Sequence, residues 1–123
     1  MRYLTARKRA IGKGASGTGT EHHWQMQVSA VALAFLVPTF LIVMGRAIGQ
    51  DHAGVLATFA RPFPAILAGL TIFVSMIHFK KGAIMMIEDY WHGSLRKVLI
   101  MLVIGLSYSI IAVGLFALAK MAL

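Results

Sequence analysis

The sequence predicts an all-α membrane protein with three transmembrane helices, the N-terminus cytoplasmic and the C-terminus periplasmic. Three observations carry that prediction. Of 123 residues, 59% are hydrophobic and only 13% are charged, about half the charged share of a soluble domain. Three long apolar windows carry no charge, and a bilayer core needs about 20 mostly apolar residues per helix. The four acids (Glu21, Asp51, Glu88 and Asp89) all fall outside those windows. A soluble domain this short has too little interior to hide so much apolar surface, and a disordered chain has the opposite composition. A β-barrel would need segments of alternating polarity. These runs are continuous, so their backbone must be satisfied internally, as in helices. With no cysteine, the chain has no disulfide framework, no thiolate nucleophile and no cysteine-held iron–sulfur cluster of its own.

Residues 1–22 read as a basic, Gly-rich cytoplasmic tail and residues 23–123 as a single three-helix membrane domain, with no room for a second domain. The tail carries Arg2, Arg7, Lys8, Arg9 and Lys13, and Gly12 to Thr20 is rich in Gly, Ser and Thr and is expected to be flexible. It is not a signal peptide, because no apolar core or cleavage site follows the basic stretch. Its glycines form no phosphate loop, since no Gly-Lys-Ser/Thr occurs. Orientation and contact with anionic lipid explain the positive charge, and no nucleic-acid partner is expected.

The first helix is expected over about 25–48, around the uncharged window Val28 to Gly45, with Pro38 kinking it. The second, over about 63–90, is uncharged from Phe63 to Ile77, then meets His78, Lys80 and Lys81 before turning apolar again from Ala83 to Ile87. The third, over about 95–121, holds the cleanest window, Val98 to Ala119. Gly45 with Gly49, and Gly105, Ser109 and Gly114, are small residues suited to close helix approach. Trp24 reads as an interfacial anchor, and Tyr108 as a hydrogen-bonding group across helices. The eight methionines show no ligand spacing and read as adaptable filling. Arg96 and Lys97, with Lys80 and Lys81 on the approach, put the 88–97 connection on the same side as the basic tail. The opposite side has only Arg46, Arg61 and Lys120, which fixes the orientation stated above.

The second helix carries the chemistry. Each ionisable residue at membrane depth costs roughly 2.5–3.5 kcal/mol on insertion scales, and His78, Lys80 and Lys81 come within four positions. His78 and Gly82 share a face, and Asp89 lies only about 20° from His78 after three turns, about 16 Å along the axis. Gly82 removes bulk beside the histidine, where a flat macrocycle fits. The lysines are expected to snorkel toward the cytoplasmic end or to pair with carboxylates of a bound group. Neutral imidazole is a standard axial ligand of haem iron. No other histidine lies at comparable depth: His22, His23, His52 and His92 all flank the spans. A bis-histidine site would therefore take its second ligand from another chain. The same residues also allow a histidine hydrogen-bonded within a helix bundle or lining a wet cavity. At the helix end, Tyr90-Trp91 suits either an aromatic belt or a phenol that keeps its proton at pH 7 and donates it.

The pattern His78-x3-Gly82-x6-Asp89-Tyr90 resembles the signature of the small hydrophobic membrane anchors of succinate dehydrogenase (respiratory complex II). The basic tail followed by His22-His23-Trp24 and Gln27-Val28-Ser29-Ala30 is similar to the alphaproteobacterial form. The resemblance covers essentially the whole chain and implies a multi-pass protein of the bacterial inner membrane. By position it implies His78 as an axial ligand of haem b, shared with a cytochrome b anchor subunit, and Lys80 as a partner of a haem propionate. It implies Tyr90 as a donor to a ubiquinone carbonyl, with Asp89 tuning that hydroxyl or relaying protons. FAD and the iron–sulfur clusters belong to two soluble partners, a flavoprotein and an iron–sulfur subunit. His92, Ser94 and Arg96 are expected to face the soluble partner. Relatives commonly carry an arginine where Gln27 stands here, a contact Lys80 or Lys81 could replace. The residues alone leave open a haem-free anchor of the fumarate reductase type, a small oligomeric proton or ion transporter, and a scaffold.

Overall fold

A computed structural model describes residues 3–14 and 19–123, and every described element is helical. In chain order these are α1 (Ala6–Ile11), α2 (Gly19–Ala47), α3 (His52–Phe59), α4 (Pro62–Tyr90) and α5 (Gly93–Ala122). The helices α2, α4 and α5 are each long and apolar enough to cross a membrane, which is the three-span architecture the apolar windows predict.

Local chemistry sets the boundaries. In the tail, Thr5 Oγ1 accepts from the Lys8 amide at 3.2 Å and starts α1. Residues 15–18 of the stretch expected to be flexible lie outside the described residues. Gly19 and Thr20 already belong to α2, which starts well before position 25 with Glu21 in its first turn, where a carboxylate favours the helix dipole. The helix runs on through Pro38 to Ala47. Gly49 lies beyond its end at φ 89° and marks the turn, and Gly45, inside the helix, faces open space, so neither glycine approaches another described helix of this chain. The connection that follows is not plain loop. Asp51 Oδ1 accepts from the Gly54 amide at 2.8 Å, an N-cap that starts α3. Pro62 opens α4 at a position where its missing N–H costs nothing.

The helix α4 stands between α2 and α5, packing along both. Its contact with α5 is tight at two glycines. A Cβ on Gly114 would lie 3.1 Å from Ile72 Cδ1, and one on Gly69 would lie 3.2 Å from Leu115 Cδ2. Gly105 faces open space and Ser109 is exposed, so of the three small residues expected to act in α5 only Gly114 makes a close approach within this chain. The spans converge near α3, where Phe59, Ala47 and Ala68 are buried among Phe40, Met44, Leu118 and Met121. Buried hydroxyls donate to carbonyls of their own helix: Thr71 to Leu67 at 2.7 Å and Ser107 to Val103 at 2.8 Å. This is how a polar side chain is accommodated away from water.

Candidate functional site

At the end of the bundle away from α3, α4 is tied to both neighbours by polar side chains. Toward α2, His78 Nδ1 lies 2.9 Å from Ser29 Oγ, and Lys81 Nζ donates to Gln25 Oε1. Gln25 in turn donates to Glu21 at 3.3 Å. Between these rungs Gly82 meets the methyl end of Met26, which would sit 3.7 Å from an added Cβ. Residues 25, 26 and 29 thus stand against 81, 82 and 78, the register of two antiparallel helices. Toward α5, Lys80 Nζ donates to Tyr108 Oη at 2.8 Å and lies 4.5 Å from its ring centre.

Helix geometry explains why the lysines go separate ways. Successive residues lie about 100° apart around the axis, so one lysine faces each neighbouring helix. The Cα–Cβ bonds of α4 tilt toward its N-terminus, away from the Tyr90 end, and Lys80 continues that way to Tyr108. The expected snorkelling of Lys80 toward the Tyr90 end does not occur, because Tyr108 catches the ammonium at depth. Tyr108 does make the expected hydrogen bond across helices.

His78 is half-buried and about 18 Å from Tyr90 along the helix axis. Its Nε2 meets no hydrogen-bonding partner among the described residues, and none of their buried side-chain nitrogens lacks one. That nitrogen is therefore open at the surface of this chain. No group of three His, Asp or Glu side chains gathers among the described residues, so a metal held at His78 would need its further ligands from outside this chain. Beside it, a groove of about 370 Å³ runs between α2 and α4, walled by Trp24, Val28, Phe73 and Ile77 with Gln25, Ser29 and Lys81 as its polar members.

The pair expected at the helix end stands apart from this cluster. Asp89 is exposed, and Tyr90 is 76% exposed with its ring edge-on to Trp91 at 6.2 Å. The reversal into α5 takes only Trp91 and His92, with Gly93 at φ 66°, and an ion pair of Arg96 with Glu88 at 2.8 Å spans it. His92 and Ser94 are exposed. Gln27 is exposed too, and it is Gln25 that reaches α4. Ser29, Gln25 and Met26 are the site residues that sequence reasoning missed. The available signal was Ser29 itself, a hydroxyl at the start of an apolar window, one turn after Gln25.

A family model described as succinate dehydrogenase/fumarate reductase transmembrane subunit matches residues 1–116. The chain is 49% identical over 123 residues to the succinate dehydrogenase hydrophobic membrane anchor subunit of Paracoccus denitrificans, covering 100% of this chain and 95% of that one. No solved structure gives a significant match.

Proposed function

This chain belongs to the family of succinate dehydrogenase/fumarate reductase transmembrane subunits, and from that premise we propose that it works in a succinate:ubiquinone oxidoreductase as haem ligand and quinone-site subunit. It is a multi-pass protein of the bacterial inner membrane and a membrane anchor of succinate dehydrogenase. In the proposed reading His78 is one axial ligand of haem b, and Tyr90 with Asp89 forms part of the ubiquinone reduction site. The Tyr90 end faces the cytoplasm, where the flavoprotein and iron–sulfur subunits dock. A cytochrome b subunit supplies the second axial ligand.

The observation that carries the reading is the state of the His78 ring. One nitrogen is engaged by Ser29 and the other is open, at a depth where an uncommitted imidazole is expensive. A single neutral nitrogen donor, sterically open and backed by a hydrogen bond, is the donor a low-spin haem iron takes. When bound, haem supplies one-electron redox chemistry. The residues of this chain do the rest. His78 fixes that group to α4, and the exposed Tyr90 offers an O–H at the membrane boundary to a carbonyl oxygen of the quinone. Asp89 beside it can accept and pass on a proton, since quinone reduction takes up two electrons and two protons. A relay through His78, Lys80 and Lys81 finds no support, because the two lysines are bound to different helices.

A redox difference spectrum of the purified complex tests the reading. The expected result is a low-spin b-type haem signal that His78→Ala abolishes. A complex with no haem signal overturns the ligand role and leaves an anchor of the haem-free kind. Tyr90→Phe should depress ubiquinone reduction while sparing succinate oxidation by a soluble artificial acceptor. Unchanged quinone reduction would return Tyr90 to the aromatic belt.

A further inference from the structure

We propose that Ser29 is a positioning residue that fixes which nitrogen of His78 carries its proton, and so presents Nε2 to iron; this rests on the haem-ligand reading above. Ser29 is 9% exposed, and its Oγ lies within hydrogen-bond distance of three atoms: Gln25 O at 3.0 Å, Met26 O at 2.9 Å and His78 Nδ1 at 2.9 Å. A hydroxyl has one proton, and a carbonyl oxygen can only accept.

Two arrangements are possible. If the serine gives its proton to Nδ1, its oxygen faces two carbonyl oxygens at 2.9–3.0 Å with no proton between any pair. If it gives the proton back to the turn of α2 that carries it, all the contacts close: Oγ–H lies between the two carbonyls, and Oγ accepts from Nδ1–H. The second arrangement is the one in which every close contact has a hydrogen in it. In the neutral ring it leaves the lone pair on Nε2, the nitrogen that is open at the surface of the chain.

The chemistry at the iron side follows. A ligating imidazole that donates its other N–H to a fixed acceptor is held in one tautomer and one ring orientation and becomes more basic. Here the acceptor is neutral and is itself tied to the α2 backbone, so the ring angle is set by the α2–α4 register. Gln25 and Lys81, one turn along, lock that register from the side, and Gly82 lets Met26 close over it. Ser29 never touches the iron. Its contribution passes through the histidine.

The test uses the assembled complex and reads the haem directly, not turnover. In the wild type, electron–nuclear double resonance on the oxidised haem should show an exchangeable proton on the distant ring nitrogen of His78, in a fixed geometry and replaceable in deuterium oxide. Ser29→Ala should lower haem affinity by about 10- to 100-fold, the usual range for loss of such a partner. It should also raise the haem midpoint potential and broaden the low-spin signal as the ring loses its fixed angle. Ser29→Thr, which can make the same bonds to its own turn, should restore all three. If the wild type holds haem but Ser29→Ala keeps its affinity, potential and line shape, Ser29 does not position the ligand. A wild-type ring with no exchangeable proton overturns the role equally. That measurement stands even if the alanine variant fails to assemble. A wild-type complex without haem would instead sink the ligand reading on which all this rests.

Discussion

Replacing Gly114 by alanine adds one methyl group to the tightest contact between α4 and α5. That methyl would lie 3.1 Å from Cδ1 and 3.3 Å from Cγ2 of Ile72, two branches of one stiff, β-branched side chain. Because two branches approach at once, one rotation of Ile72 does not relieve both, and the helices must separate by some tenths of an ångström. Overpacking of this kind costs typically 1–3 kcal/mol. Alanine gains about 0.5–1 kcal/mol over glycine in a helix, so a net loss centred on about 1 kcal/mol, and at most about 2.5 kcal/mol, is expected. Gly105 supplies the control on the same helix, since a Cβ there meets nothing within 4 Å. Gly105→Ala should be neutral or slightly stabilising. Thermal unfolding of the purified complex, followed by the amount that still elutes intact, gives the comparison. Ile72→Val removes the nearest atom, Cδ1, so the double variant Gly114→Ala with Ile72→Val should recover part of the loss, with a coupling of about 0.5 kcal/mol or more. Equal stability of Gly114→Ala and Gly105→Ala, or additivity of Gly114→Ala with Ile72→Val, would refute the close-approach account.

The tie between Lys80 and Tyr108 involves a charged donor at depth, where a hydrogen bond is worth about 1.5–3 kcal/mol. Tyr108→Phe should lower the melting temperature of the complex, and a Lys80→Met background should erase most of that effect. The ion pair of Arg96 with Glu88 is nearly half-exposed on both sides, so Glu88→Gln should cost at most about 1 kcal/mol, and less in high salt. Gly93→Ala places a side chain at φ 66°, a left-handed conformation costing about 1–2 kcal/mol. Gly93→Asn should cost less, and assembly yield reads both.

The fold was legible because span length and lack of charge are properties of single segments, and three segments of the chain have both. The helix ends were less legible. Thr20 and Glu21 look like tail until the backbone continues through them, and α3 hangs on one Asp51 cap inside a connection of mixed residues. At the site, the alignment of His78, Gly82 and Asp89 on one stripe follows from angles within a single helix. The partners do not, because they depend on how α2 is set against α4. A slip of one residue in α2 would bring Val28 or Ala30 opposite His78 in place of Ser29, and nothing in either segment alone forbids it. The small residues show the same limit. Gly105 and Gly114 read alike in sequence, and only the course of α4 separates the one that touches Ile72 from the one that touches nothing.

The two lysines then separate by the same angles. Lys80 is about 200° around α4 from His78, nearly the opposite face, whereas Lys81 is only about 60° away and lines the groove that Ser29 shares. Both ammonium groups rest on neutral acceptors, Tyr108 and Gln25, and the one ion pair among the described residues is that of Arg96 with Glu88. Among the described residues neither lysine meets a carboxylate directly, the nearest to Lys81 being Glu21 beyond Gln25, and an anionic group on the side of His78 would meet Lys81 before Lys80. If a haem propionate supplies that anion, Lys81→Gln should move the haem midpoint potential and Lys80→Gln should leave it nearly unchanged. Gln25→Leu, which frees Lys81 from its neutral acceptor without removing the charge, should shift the potential far less than Lys81→Gln does. A larger shift in Lys80→Gln than in Lys81→Gln would mean that the bound group lies on the α5 side of α4, away from Lys81.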